Sequence, residues 1–135
     1  MKVSTAQFGV STSRRSQMLD ITSQVQQALA RSGAREGVVH VYVPHTTAGI
    51  TVNENADPNV ARDVLSKLAG LVPHQDDYQH AEGNADAHIK TILTGTSVTL
   101  FISGGELQLG EWQGIFLCEF DGPRQREVWL KIISD

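Results

Sequence analysis

The sequence has one cysteine, Cys118, so no internal disulfide can form, which fits a reducing cytoplasm. No apolar run approaches the ~20 residues that a membrane-spanning helix requires. The opening stretch MKVSTAQFGVSTSRRSQ lacks the uninterrupted apolar segment of a secretory signal, so a cytoplasmic protein without membrane contact is expected. Basic residues are outnumbered, 11 Lys and Arg against 15 Asp and Glu, for a net charge of −4. Phosphate-backbone recognition depends on clustered Lys and Arg, and this balance argues against a nucleic-acid partner. No Ser/Gly/Pro-rich linker and no repeat divides the chain, so residues 1–135 read as a single domain.

What is present suits a folded core. The 135 residues are 40% hydrophobic and 19% charged, and a domain of this size buries roughly two-thirds of its unfolded surface. Residues 2–10 read as a first strand, and a helix follows from Asp20 or Thr22 to about Ser32, with Gly33 as its stop. Val25, Ala28 and Leu29 form its apolar stripe. Residues 37–43 place Val39, Val41 and Val43 on one strand face, and 49–53 form another short strand. Asp57-Pro58 starts a second helix carrying Val60, Val64, Leu68 and Leu71 at helical spacing, ended by Pro73. Asn84 opens a third, with Ala85, Ile89, Ile92 and Leu93 assigned to the core and Gly95 as its stop. Strands at 96–102, 113–120 and 126–133 complete the chain, the first leading into the Gly104-Gly105 turn and the last two joined at Asp121-Gly122-Pro123. Strands and about three helices in irregular order predict an α+β domain with a mixed or antiparallel, sandwich-like sheet.

Two polar segments stand out. HTTAGITVNENADP gathers His45, Thr46, Thr47, Thr51, Asn53, Glu54, Asn55 and Asp57. Imidazole and carboxylate together can hold a divalent metal or move protons. The plainer reading makes Asn55 a turn residue and Asp57 a helix cap, and leaves Glu54 without a structural reason. YQHAEGNADAHIK gathers His80, Glu82, Asn84, Asp86 and His88. Asn84 and His88 are i,i+4 neighbours, Asp86 points elsewhere, towards Lys90, as a plain surface pair, and Gly83 lets the chain fold His80 and Glu82 back over the helix. The spacing matches no standard zinc motif, and a capped helix with hydrogen-bonded histidines is the rival. In the tail, Glu119 alternates in phase with Ile115 and Leu117, which places it on the core face, where it needs a cation or a metal; the rival is an edge strand with Glu119 outside. Cys118 faces the other way with Phe116 and Phe120, as a small buried hydrophobe. Arg124 and Arg126 follow the turn and are phosphate-binding candidates, with a plain solvated charge as the commoner case.

HTTAGITVNENADP, YQHAEGNADAHIK, LTGTS and LGEWQGIFLCEFDGPR together closely resemble the YjbQ-type family, also called secondary thiamine-phosphate synthases. The resemblance runs from about residue 37 to 132; one departure is Gly110-Glu111-Trp112-Gln113, where the family usually has Gly-Thr-Trp-Gln. It implies a compact mixed-sheet fold with helices, a homotrimer, and a polar pocket containing His45, Glu54, His80, Glu82 and His88. Glu119 joins the candidate catalytic set. Thr46, Asn53, Asn84, Lys90, Gln113 and Arg124 are candidates for holding a small phosphorylated metabolite.

Three functions follow as expectations. In a thiamine-phosphate synthase, thiazole phosphate displaces pyrophosphate from an aminopyrimidine. Mg²⁺ on Glu54, Glu82 and Asp86 would assist, with Lys90, Arg124 or Arg126 on the departing phosphates. In a metal-dependent hydrolase, His45, His80 and His88 would bind a transition metal, zinc or nickel, and Glu54 or Glu82 would act as base. The third is a non-enzymatic trimer that binds an anionic metabolite.

Overall fold

The computed structural model describes residues 1–135. In chain order the elements are β1 Lys2–Ser11, β2 Gln17–Asp20, α1 Thr22–Ser32, β3 Gly37–Tyr42, β4 Ala48–Glu54, α2 Pro58–Leu71, α3 Ala85–Thr94, β5 Ser97–Ser103, β6 Glu106–Gln108, β7 Gln113–Glu119 and β8 Gln125–Ser134. The strands form a five-stranded sheet in the order β1-β8-β3-β5-β6 and a three-stranded sheet in the order β2-β7-β4. Every strand pair is antiparallel.

Alternation decides what faces inward. Val39 and Val41 of β3, Val128, Leu130 and Ile132 of β8, and Leu100 and Ile102 of β5 line the inner face of the larger sheet. Ile115 and Leu117 of β7 and Ala48 and Ile50 of β4 meet them from the smaller one, so the two sheets share one 18-residue core. Helix α1 adds Val25, Ala28 and Leu29, the stripe its periodicity predicts, and Gly33 closes it in the left-handed conformation at φ 73°. The single α+β domain with three helices agrees with the sequence reading.

Two strands escape the sequence reading. β2 is four residues long and starts at the last residue of the polar STSRRSQ stretch, and β6 is only three residues long. Helix α2 begins as expected, with Asp57 accepting a hydrogen bond from the Asn59 amide and Pro58 in the first turn. None of its residues is buried; Leu65 and Leu68 only lean on a satellite cluster of Ala87, Phe116, Cys118 and Phe120.

Helix α3 requires the largest correction. Its buried residues are Asp86, Ala87, Lys90 and Thr91, while Ile89, Ile92 and Leu93 are 39%, 80% and 59% exposed. The helical period holds but its phase is reversed. The face turned to the smaller sheet meets Arg15, and charges that pair there displace the isoleucines outward. The close seating of α3 on β4 depends on Gly49, where a Cβ would stand 2.7 Å from the Gly95 carbonyl oxygen.

Candidate functional site

β4 and β7 run side by side, with Ala48 opposite Glu119 at one end and Glu54 opposite Gln113 at the other. Six residue steps separate the ends of β4, about 20 Å at ~3.3 Å per step. The polar residues therefore divide between two ends of the smaller sheet.

Glu119, fully buried, anchors the first end. Arg126 Nε donates to its Oε1 at 2.8 Å, and the Arg126 terminal nitrogen closes on Oε2. The Thr12 hydroxyl donates to Oε1 at 2.8 Å and the Asp121 amide to Oε2 at 3.0 Å. Burial pushes this carboxyl up, but the Arg126, Asp121 and Thr12 hydrogen bonds together hold it below its ordinary value. Glu119 is thus inward and cation-paired, as its alternation requires. Arg126 also donates to the Thr47 hydroxyl and carbonyl, at 2.8 and 3.2 Å, which ties the β3–β4 loop to β8. In that loop His45 Nε2 accepts the Glu127 amide at 2.9 Å. Burial, then the Arg126 charge, lowers the His45 pKa; because Nε2 accepts, the ring proton of the neutral form belongs on Nδ1.

The start of α3 joins the same end. Asn84 is buried and its Nδ2 donates to Asp121 Oδ2 at 2.8 Å. That bond orients the amide and leaves Asn84 Oδ1 buried without a partner. Arg124 also holds Asp121, through Nη2 at 3.0 Å. Asp86 has no exposed surface; Arg15 grips both its oxygens at 3.1 Å, and Lys90 Nζ donates to it at 2.9 Å. Burial alone would raise this carboxyl, but the Arg15 and Lys90 bonds hold it at about 2. The Asp86–Lys90 pair, expected on the surface, is buried.

Above this lies the imidazole pair. The His80 and His88 rings meet edge to face, with centroids 5.3 Å apart, and Glu82 Oε2 stands 3.8 Å from His80 Nε2. His45 does not join them: no three His, Cys, Asp or Glu side chains of the chain form a group that could hold a metal. The expected His45, His80, His88 zinc triad is therefore not assembled within one chain. The Mg²⁺ set of Glu54, Glu82 and Asp86 is not assembled either, because Asp86 is engaged by two cations and Glu54 stands at the far end of β4.

The remaining candidates have local roles. Glu54 accepts the Asp57 amide at 3.2 Å, and Asn53 accepts the Glu54 amide at 2.7 Å. Gln113 accepts the Gly110 amide at 2.8 Å, and Thr46 is exposed. Lys90, expected to meet phosphate, is 3% exposed and committed to Asp86. Arg15 and Thr12 were missed. Both lie in the β1–β2 connection, which as sequence is an ordinary polar loop, and their partners are 71 and 107 positions away.

The family model described as UPF0047 protein YjbQ-like matches residues 6–135. A UPF0047 protein of Methanocaldococcus jannaschii is 49% identical, covering 95% of this chain and 93% of its own length. YugU of Bacillus subtilis, another UPF0047 protein, is 44% identical, with 93% and 96% covered. A crystal structure of a Clostridium acetobutylicum member has a TM-score of 0.93 at 51% identity, covering 95% of this chain and 99% of that one. A YbjQ-like protein of unknown function from Sulfolobus solfataricus has a TM-score of 0.95 at 34% identity, with 99% of each chain covered. These names carry no activity, and none points to a thiamine-phosphate synthase. The synthase expectation is corrected accordingly, in agreement with the missing carboxylate cluster. No helix is long and apolar enough to cross a membrane. By sequence and by fold, the chain belongs to the UPF0047 family of YjbQ-like proteins.

Proposed function

We propose that the protein is an enzyme that performs acid–base chemistry on a small phosphorylated metabolite at the start of α3. The observation that carries this reading is the Arg15–Asp86–Lys90 triad, two cations on one carboxylate, with Asp86 and Lys90 in the first two turns of that helix and Arg15 reaching in from the β1–β2 connection. The buried Asp86–Lys90 pair gains little for folding, because apolar residues of similar size serve stability as well or better, and Arg15 adds a second, partly exposed cation. Arg15, the one member with appreciable exposed surface, stands next to the positive end of a helix dipole and is suited to meet an anion. His80 and His88 stand close enough together to pass a proton to and from one bound molecule.

The same reading includes a homotrimer. Ile92 and Leu93 of α3, and Phe101 and Trp129 on the open face of the larger sheet, are apolar surfaces that a second copy would cover.

The test is a thermal-shift panel of phosphorylated metabolites, with turnover of any stabilising compound followed by phosphorus or proton NMR. Arg15→Gln should lose the shift, while His88→Gln should keep it and lose turnover. A panel without a stabilising compound, or one whose shift survives Arg15→Gln, overturns the reading.

A further inference from the structure

A cavity of about 510 Å³ lies between α2 and β2, lined along β2 from Gln17 to Asp20 and reaching Glu54 at the end of β4. Its floor is apolar, formed by Met18, Leu65 and Phe116, and its rim carries Arg14, Arg62 and three carboxylates. Small-molecule sites have this size and this pattern of an apolar bed with a few polar groups.

The rim groups differ in what they have left to offer. Asp20 accepts from the Thr22 amide and hydroxyl and from Asn55 Nδ2. Glu54 accepts the Asp57 amide, and Asp57 accepts the Asn59 amide. Neither guanidinium takes part in any ion pair of the chain, all of which use Arg15, His80, Lys90, Arg124 or Arg126. The free capacity of the rim is therefore donor capacity, and it calls for an acceptor from outside. α2 buries none of its residues, so the helix above the cavity has room to settle on an occupant.

We propose that this cavity is a second ligand site, for a small monocarboxylate with an aromatic or branched apolar body, held by Arg14 and Arg62 over Phe116. The three neighbouring carboxylates favour one negative charge over two, since a phosphate dianion meets more repulsion than a carboxylate. The cavity uses different side chains from the site at the start of α3, although the two are neighbours through Arg14 and Arg15 of the β1–β2 connection.

The experiment is a proton–nitrogen NMR titration of the full chain with sodium 3-phenylpropanoate, phenyl phosphate and acetate at constant ionic strength. Saturable shifts at Met18, Leu65 and Phe116 are expected with 3-phenylpropanoate. Acetate, which lacks the apolar body, should bind at least about tenfold more weakly. Arg14→Gln and Arg62→Gln, both at exposed positions, should each weaken binding about tenfold without changing the fold. No saturable shift up to roughly 10 mM, or equal binding by the doubly substituted chain, overturns the site. Phenyl phosphate binding as tightly as the carboxylate overturns the assigned ligand class.

Discussion

Arg15 reaches Asp86 across 71 positions of sequence, and each of its terminal nitrogens stands 3.1 Å from a different carboxylate oxygen. Such a two-point grip fixes the guanidinium in plane and in rotation, which one contact cannot do. Lys90, one helical turn after Asp86, shares the same carboxylate at 2.9 Å. Together they explain why α3 turns its charges in and its isoleucines out.

This arrangement predicts acid sensitivity. Asp86 titrates at about 2 in the fold, below its ordinary value of 3.8. A carboxyl lowered by folding stabilises the fold above its unfolded value, and that stability is lost as pH falls through the folded value. The pair should contribute about 2 kcal/mol, lost between about pH 4 and about pH 2. Urea unfolding at a series of pH values reads this directly. Asp86→Asn should be less stable at neutral pH, by roughly 3 kcal/mol, and should show a shallower acid decline. An unchanged acid profile would contradict the assignment.

Glu119 and Arg126 predict strong coupling. Removing either leaves the other buried and uncompensated, so Glu119→Gln and Arg126→Met should each destabilise by roughly 3 kcal/mol. The double variant should lose markedly less than the sum of the two. Additive losses in a denaturant double-mutant cycle would show that the pair does not act as a unit.

Gly49 predicts a packing limit. A Cβ there would stand 2.2 Å from Thr94 Oγ1 and 2.7 Å from the Gly95 carbonyl oxygen. Gly49→Ala should lower stability by about 1–3 kcal/mol. Thr94→Ala should not restore it, because the carbonyl remains in the way. Full rescue in thermal unfolding would mean that α3 is free to shift.

The outward face of α3 predicts self-association. Light scattering should give about three times the 14.7 kDa chain mass. Ile92 is 80% exposed within one chain, so in an isolated chain Ile92→Glu would be nearly neutral. The expected outcome is a smaller species with its secondary structure retained. A wild-type protein that runs as a monomer removes the assembly from the proposed function.

Much was settled by the sequence alone, wherever the physics is local. The periods of two and of 3.6 located both sheets' long strands and all three helices, because a half-buried element repeats its apolar residues at its own pitch. Asp57-Pro58 marked a helix start and Gly33 a helix stop through backbone geometry that neighbouring residues decide. The inward Glu119 and the inert, buried Cys118, its thiol pushed by burial up to about 12, followed from alternation along one strand. The four motifs also pointed to the family that the comparisons show.

Only the tertiary structure decided which polar residues meet. Glu54 and His45 share one motif but belong to different ends of the smaller sheet, because β4 is a fully extended strand between them. The phase of α3 depends on Arg15, and nothing near α3 in sequence announces that partner. A helix's period is written in its own residues. Which side it buries is decided by what the rest of the chain places beside it, and here a guanidinium from the β1–β2 loop stands where the isoleucines were expected.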